Sequence, residues 1–397
     1  MDSMRNSRVA LTRRERRPPI TFRPRLELLE DRLTPSTLEV PLDPFLDLFG
    51  NQFEVVEAYR IPDGLGDRVT FGIFDTGASP ITFGWTDQFY FDFVGQPIPV
   101  LPGVTVTAEG VGGSLTSLVS KPGTILADGL HALDLEAFIN GQESIDLSGA
   151  AVVGNVQAMI GTEGGSPNLP AIVGTPIVNG RLPGSVIDGV AVLIDQEGYF
   201  IDFGALFPEF PEFQGLILPL PDLTFVAPGT LLSAGAETTD PLRVPIDFIG
   251  IDNHLDPGMT ITESYNPVVH GIHLKDTTNS TTFELNNQVF LFDTGAQVSI
   301  ISTAVALALG LDLAHPETTI DVGGAGGNAT IPGYTLDELV VPRDDDNNGV
   351  LDGTLVFTTV PVFVLDVDPS LNGILGMNLV NTAAKFLYDP HDPDGPG

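Results

Sequence analysis

The chain of 397 residues contains no cysteine, which excludes disulfide bonds, thiol catalysis and zinc–thiolate sites. Basic residues are also scarce: 17 Lys and Arg stand against 52 Asp and Glu, and the net charge is −35. An acidic protein repels nucleic acid and anionic membrane surfaces, so we expect neither as a partner. No apolar run reaches the roughly 18 residues that a membrane span needs, so the sequence predicts no spanning helix.

Turn-forming residues, in contrast, are abundant, with 44 Gly and 33 Pro. Val, Ile, Thr and Phe are frequent, and long stretches with helical periodicity are rare. This combination favours an all-β protein with many turns. The length and the apolar fraction of 42% allow two or three domains with a large core.

Residues 1–36 form a basic segment ahead of an acidic body. The first 40 residues carry nine Arg against six acidic residues. No apolar stretch of the signal-peptide kind follows, so a conventional signal peptide is not supported. The piece FRPRLELLEDRLTPS at 22–36 resembles a short Leu-Glu-x-Arg-x-x-Pro segment near the start of many bacterial surface or exported proteins. Three hypotheses stay open: a sorting signal of an exported or cell-surface protein, a disordered tail, and a prosegment lying on an acidic cleft.

One motif occurs twice. The run VTFGIFDTGA ends at Ala78, and the run QVFLFDTGA ends at Ala296. Each is an apolar, strand-like run that delivers a carboxylate, Asp75 or Asp293, at its end. A lone buried carboxylate is costly, whereas two that meet can share a proton and perform acid–base chemistry. The sequence therefore predicts that the two aspartates form one site.

Two further pairs of segments repeat in the same order. LEVPLD at 38–43 returns as LRVPID at 242–247, and LPAIVGTPIVN at 169–179 returns as LNGILGMNLVN at 371–381. Three landmarks in one order at a similar offset indicate an internal duplication. We expect an N-terminal lobe over residues 37–214, a linker over 215–240, a C-terminal lobe over 241–390 and a frayed tail over 391–397.

A glycine-rich segment follows each aspartate and lies between Thr-, Val- and Ile-rich runs, which predicts the tip of a β-hairpin. Glycine lets the backbone of such a tip approach a ligand closely. Two copies at matching places favour paired flaps over ordinary turns. The residues expected to bind substrate are Gly110, Val111, Gly112 and Gly113 in the first copy, and Gly323, Gly324, Ala325, Gly326 and Gly327 in the second.

The second half of the chain resembles one retropepsin-type unit of the aspartic protease family. The resemblance is carried by FDTGA, a short predicted helix that ends at Gly310, the glycine-rich flap and NGILGMNL at 372–379. The first half resembles a more diverged unit of the same kind. Over residues 37–390, the resemblance implies a single-chain, two-lobed, all-β enzyme of pepsin-like architecture. It would be a monomeric aspartic endopeptidase that cleaves extended peptides and requires no cofactor.

The resemblance also implies roles within the motif. Asp75 and Asp293 would be the catalytic dyad, the threonines would hydrogen-bond across the lobes, and the glycines would let backbone N–H groups reach the carboxylates. Pepsin-like enzymes often carry a hydroxyl residue where this chain has alanine, so the dyad should ionise at a higher pH than theirs. The implied loop residues are Thr76, Gly77 and Ala78 in the first copy, and Thr294, Gly295 and Ala296 in the second.

The first half departs from the family pattern. SPIT at 79–82 does not match the QVS at 297–299 of the second half, and the aromatic segment 85–93 is unlike the expected helix. A catalytically weak or silent relative that acts as a peptide-binding or surface module is therefore an alternative. A further alternative is that each half pairs with another chain.

One acidic segment resembles the first nine positions of an EF-hand calcium loop. Leu355 stands at position twelve, so the bidentate glutamate is missing, and residues 354–357 read as a strand. Two hypotheses stay open, an acidic hairpin insertion and a structural calcium site. The calcium ligands would be Asp344, Asp346, Asn348 and Asp352.

Overall fold

The structure is a computed structural model. It describes residues 25–28, 37–41, 53–110, 113–135, 137, 145–162, 170–206, 210, 214–230, 242–249, 266–278, 280–324, 327–344 and 350–391.

The described part of the chain is mostly strand, so the predicted all-β class is confirmed. None of its helices is long and apolar enough to span a membrane. The elements of the first half are β1 Arg25–Leu28, β2 Thr37–Pro41, β3 Glu54–Arg60, β4 Arg68–Phe74, β5 Thr82–Phe83, α1 Trp85–Phe93, β6 Val100–Gly110, β7 Gly113–Ser120, β8 Gly123–Asp128, β9 Ala151–Val156, β10 Met159–Ile160, β11 Ala171–Val173, β12 Ala191–Asp202, α2 Phe203–Leu206 and β13 Ile217–Val226.

The second half continues the series and contains the longest strands. Short 3-10 helices lie at Leu130–Ala132 and Thr175–Asn179 in the first half. The elements of the second half are β14 Leu242–Pro245, β15 Asp247–Ile249, β16 Asn266–Thr278, β17 Thr281–Phe292, β18 Ile300–Ile301, α3 Thr303–Ala308, β19 Thr318–Gly324, β20 Gly327–Arg343, β21 Gly353–Val364, β22 Gly373–Leu375, α4 Met377–Val380 and β23 Lys385–Asp389.

The two lobes repeat one strand path. The sheet of lobe one runs β6-β7-β10-β5-β11-β4-β3-β8-β9, and the sheet of lobe two runs β19-β20-β21-β18-β22-β17-β16-β15. Seven consecutive strands correspond, and each neighbouring pair is parallel or antiparallel in the same way in both lobes. A helix follows the equivalent strands β5 and β18. This repeated path is the structural counterpart of the repeated sequence landmarks.

A third sheet joins the lobes, with the order β13-β12-β23-β1-β14. Strand β23 lies in its middle and carries Phe386, which is fully buried. The ring of Phe386 lies 5.7 Å from that of Phe53 in lobe one and 6.1 Å from that of Phe292 in lobe two. One buried apolar cluster therefore continues from lobe one through the central sheet into lobe two.

Three segments differ from the sequence prediction. Residues 85–93 form helix α1, in which the Asp87 carboxylate accepts the N–H of Gly84 and Phe91 is buried in the core. The predicted linker 215–240 contains strand β13. His391, expected in a frayed tail, is within hydrogen-bond distance of the Val178 carbonyl at 2.9 Å; residues 392–397 lie outside the described part.

The N-terminal strands also differ from the expectation. Strand β1 lies between β14 and β23, which differs from a disordered tail, while the sorting-signal and prosegment hypotheses for residues 1–36 stay predictions. Strand β2 was expected in lobe one but pairs in parallel with β21 of lobe two. The reason is that β21 is much longer than its neighbour β18, so the first half of its edge is left open for β2.

Candidate active site

Each aspartate follows a strand that is held by a parallel partner. Strand β4 pairs with β11, and the N–H of Asp75 donates to the Val173 carbonyl at 3.1 Å. Strand β17 pairs with β22, and the N–H of Asp293 donates to the Leu375 carbonyl, also at 3.1 Å. The phenylalanine directly before each aspartate is fully buried, so the end of each strand is anchored in the core while the carboxylates emerge after it.

Backbone N–H groups surround each carboxylate. Oδ1 of Asp75 accepts from Gly77 N at 2.8 Å and from Ala78 N at 3.0 Å. Oδ1 of Asp293 accepts from Gly295 N at 2.9 Å and from Ala296 N at 3.1 Å. These donors fix the carboxylates in equivalent positions, as the resemblance implied for the two glycines.

Both motif glycines are required because each lies very close to the carboxyl group of the other lobe's aspartate. A Cβ on Gly77 would lie 2.4 Å from Cγ of Asp293, and a Cβ on Gly295 would lie 2.4 Å from Cγ of Asp75. Each loop therefore packs directly against the carboxylate of the other lobe. This contact also brings the two carboxyl groups within hydrogen-bond reach of each other.

The two threonines hold the loops together. The N–H of Thr76 donates to Oγ1 of Thr294 at 3.0 Å, and the N–H of Thr294 donates to Oγ1 of Thr76 at 3.1 Å. Each hydroxyl in turn donates at 2.8 Å to a carbonyl of the other lobe, Thr76 to Phe292 and Thr294 to Phe74. Both threonines are completely buried, so the bonds are shielded from water.

The environment makes the pair hard to ionise. Burial raises the pKa of Asp75 well above its usual value, and the negative charge of Asp293 and the hydrogen bond between the two groups raise it further. Burial also raises the pKa of Asp293, although the hydrogen bond from Asp75 lowers it. Two buried carboxyl groups in contact share one proton and titrate as a pair.

A second layer of polar residues supports the loops. In lobe two, the Ser299 hydroxyl donates to Oδ1 of Asn378 at 2.8 Å and accepts the Gly376 N–H at 3.0 Å. In lobe one, the Ser79 hydroxyl donates to Oδ1 of Asn266 at 2.8 Å. Asn266 is far from Ser79 in sequence and belongs to lobe two, so no local pattern could have predicted this contact.

Both predicted flaps are hairpins. In the β6–β7 hairpin, Gly110 pairs with Gly113, and in the β19–β20 hairpin, Gly324 pairs with Gly327. The second glycine of each pair has a positive φ, 125° for Gly113 and 120° for Gly327, a conformation that favours glycine. The tip residues Val111, Gly112, Ala325 and Gly326 lie outside the described part of the chain.

The acidic segment of lobe two connects strands β20 and β21, as the hairpin hypothesis expected. Asp344 is buried at the end of β20, and Asp352 donates its N–H to the Arg343 carbonyl at 3.0 Å. Asp346 and Asn348 lie outside the described residues. Within the described ranges, no group of three or more His, Asp or Glu residues could hold a metal ion. The calcium site stays a prediction.

Comparison with known families agrees with the geometry of lobe two. Residues 281–379 match the model of a family described as "Aspartyl protease". The matched segment begins at strand β17 and ends within α4, so it includes Asp293 and the second flap. This segment matches the aspartyl protease family, which confirms for lobe two the resemblance predicted from its sequence.

The chain was also compared with individual curated proteins and solved structures. No curated protein matches the chain. Among solved structures, a retropepsin-like aspartic protease from Rickettsia conorii is 20% identical over 30% of this chain and 89% of its own, with a TM-score of 0.19.

Proposed function

We propose that the chain is an aspartic endopeptidase in which Asp75 and Asp293 act together on one water molecule. The observation that carries the proposal is the contact between two carboxyl groups from different lobes, each fixed by two N–H groups of its own loop. Such a pair holds one proton and one negative charge over a range of pH, which amide hydrolysis requires.

The ionised member accepts a proton from the water, which then attacks the scissile carbonyl carbon. The protonated member donates a hydrogen bond to the carbonyl oxygen and stabilises the charge that develops there. A proton is then passed to the leaving nitrogen, so that the C–N bond breaks and the dyad returns to its starting state. Because one chain supplies both aspartates, a monomer would be the active form.

The substrate would bind as an extended peptide beneath the two flap hairpins. Their strands could add backbone hydrogen bonds to such a peptide, and their closure would exclude water from the dyad. Sequence-independent backbone contacts of this kind suit a protein substrate in unfolded form. The family membership of residues 281–379 supports this class of substrate.

The test is cleavage of an unfolded protein between about pH 3 and 7, with and without pepstatin. We expect pepstatin-sensitive cleavage by the natural protein and its loss in both Asp75→Asn and Asp293→Asn. Asp188→Asn, which changes an exposed carboxylate paired with Arg181, is the matched control and should cleave normally. Cleavage that survives either dyad substitution contradicts the proposal. Pepstatin or peptide binding without cleavage would favour the peptide-binding alternative.

A further inference from the structure

Asn266 is the first residue of β16 in lobe two and is 1% exposed. In the β16–β17 pair, Val268 lies opposite Leu291, so Asn266 lies level with Asp293 at the end of the neighbouring strand. Asn266 also pairs with Ile249 of β15, and the following Pro267 favours extended backbone at Asn266. Pairing within the sheet therefore fixes the backbone position of Asn266.

The amide of Asn266 reaches into the other lobe. Its Nδ2 donates to the carbonyl of Gly77 at 2.5 Å, and its Oδ1 accepts from the Ser79 hydroxyl at 2.8 Å. Both ends of the amide are thus bound by the loop that follows Asp75. The bond between Ser79 and Asn266 is buried, since Ser79 is only 7% exposed, and the bond to Gly77 is partly buried.

The peptide unit between Gly77 and Ala78 connects this contact to the dyad. Its carbonyl accepts from Asn266, and its N–H, that of Ala78, donates to Oδ1 of Asp75 at 3.0 Å. Hydrogen bonds in a chain polarise one another, so the bond at the carbonyl strengthens the bond at the N–H. The same bond fixes the plane of the peptide and hence the direction of the N–H.

We propose that Asn266 is a positioning residue, which from lobe two holds the Gly77–Ala78 peptide of lobe one so that its N–H stays aimed at Asp75. It acts through the peptide and does not touch the reacting atoms; its effect on catalysis rests on the proposed function. The groups that act on Asp75 within the described residues are the carboxyl of Asp293 and the N–H groups of Gly77 and Ala78. A change in the titration of the pair in an Asn266 variant would therefore act through this loop.

The first experiment compares pH profiles of kcat and kcat/KM for the natural protein, Asn266→Ala and Asn266→Asp. In Asn266→Ala we expect kcat to fall about tenfold with little change in KM. The profile should move upward by about 0.5 pH unit, because the ionised form of the dyad loses stabilisation. In Asn266→Asp, a protonated carboxyl can still donate to Gly77, so activity should be rescued at low pH and lost as the pH rises.

The matched control is Ser120→Ala, outside the active-site loops. Ser120 is also buried, and its hydroxyl accepts the Ala158 N–H at 2.8 Å and donates to the Lys121 carbonyl at 2.9 Å. We expect this variant to melt at a lower temperature without a shift of either limb. If Asn266→Ala also lowers only the melting temperature and leaves both limbs in place, the role of Asn266 is structural and the inference is overturned.

The second experiment titrates the aspartate carboxyl carbons by 13C NMR in the same proteins. It separates the two proposals, because it reads the pKa of Asp75 whether or not the protein cleaves peptides. If the natural protein shows no pepstatin-sensitive cleavage, the proposed function fails, and an upward pKa shift in Asn266→Ala, which adds no charge, still supports the positioning role. An unchanged pKa overturns it. If Asn266→Ala does not fold, Asn266→Ser, which is also uncharged, takes its place in both measurements.

Discussion

Thr76 and Thr294, 218 positions apart in the sequence, each accept the other's backbone N–H through a side-chain hydroxyl. Each hydroxyl also donates to the carbonyl of the residue that precedes the partner lobe's aspartate. Neither lobe can therefore form this layer of bonds without the other. The relationship makes the interface between the lobes part of the candidate site.

Removal of one of these hydroxyls should loosen the interface. In Thr76→Val, the Thr294 N–H and the Phe292 carbonyl lose their buried partner, which should cost about 2–4 kcal/mol in the free energy of unfolding. Urea denaturation measures this loss, and Thr76→Ser, which keeps the hydroxyl, is the control. A double variant with Thr294→Val should cost less than the sum of the single changes. Full additivity would show that the two threonines do not act as one unit.

An added methyl group at Gly295 should disturb the dyad directly. In Gly295→Ala, the new Cβ would lie 2.4 Å from Cγ of Asp75, so the carboxyl must move. A displacement of about 1 Å at a reacting group can cost about 100-fold in rate. Gly154→Ala is the control, because the nearest atom to its new Cβ is 4.0 Å away. Proteolytic activity of Gly295→Ala within a few-fold of the natural protein would contradict this account of the loop.

The alanine after each motif predicts a mildly acidic pH optimum. Ala78 donates only its N–H to Asp75, so a hydroxyl added at this position supplies one more donor to the carboxylate. In Ala78→Ser we expect the pH–activity profile to move toward acid by about 0.5–1 unit, since a donor lowers the pKa of the dyad. An optimum of the natural protein below about pH 3 would rule out the prediction.

Glu57 should make lobe one less stable as the pH rises. This residue is fully buried on β3, neither carboxyl oxygen has a hydrogen-bond partner, and burial and the charge of Asp87 raise its pKa well above 4.5. The stability that goes with the protonated form of Glu57 is fully present below the pKa that Glu57 has in the unfolded chain. It is lost as the pH rises through the pKa that Glu57 has in the folded protein.

Glu57→Gln removes the ionisable group. The free energy of unfolding of the natural protein should therefore fall by about 1–3 kcal/mol relative to that of the variant as the pH rises from acid to neutral. The measurement is the free energy of unfolding against pH. Glu54→Gln, at the exposed end of the same strand, is the control. Parallel curves for Glu57→Gln and the natural protein would show that Glu57 does not titrate with a raised pKa.

Much of the site could be predicted because its signals are local. An apolar run ending in Asp-Thr-Gly-Ala predicted β4 and β17, glycine pairs predicted the flap hairpins, and helix α3 ends before Gly310, whose φ is 76°. Each feature depends on residues close together in sequence, where periodicity, turn chemistry and capping are sufficient.

The remaining features depend on distant contacts. Helix α1 is rich in aromatic residues, which are weak helix formers, and forms because Phe91 packs into the core. Strand β13 was predicted as a linker because of Pro219 and Pro221, which are tolerated since β13 lies at the edge of the central sheet. No sequence pattern predicted the contact of Asn266, because its partners in lobe one come near it only when the two lobes pack together.

The position of β23 has a consequence for the order of folding. Asp195 and Lys385, which join β12 to β23, are 190 positions apart, and the buried Phe386 next to Lys385 packs against Phe53 of lobe one and Phe292 of lobe two. A contact of such long range forms late and slowly. During synthesis the dyad should therefore stay unassembled until β23 has left the ribosome, so that a nascent chain carries both aspartates without being able to cut its neighbours.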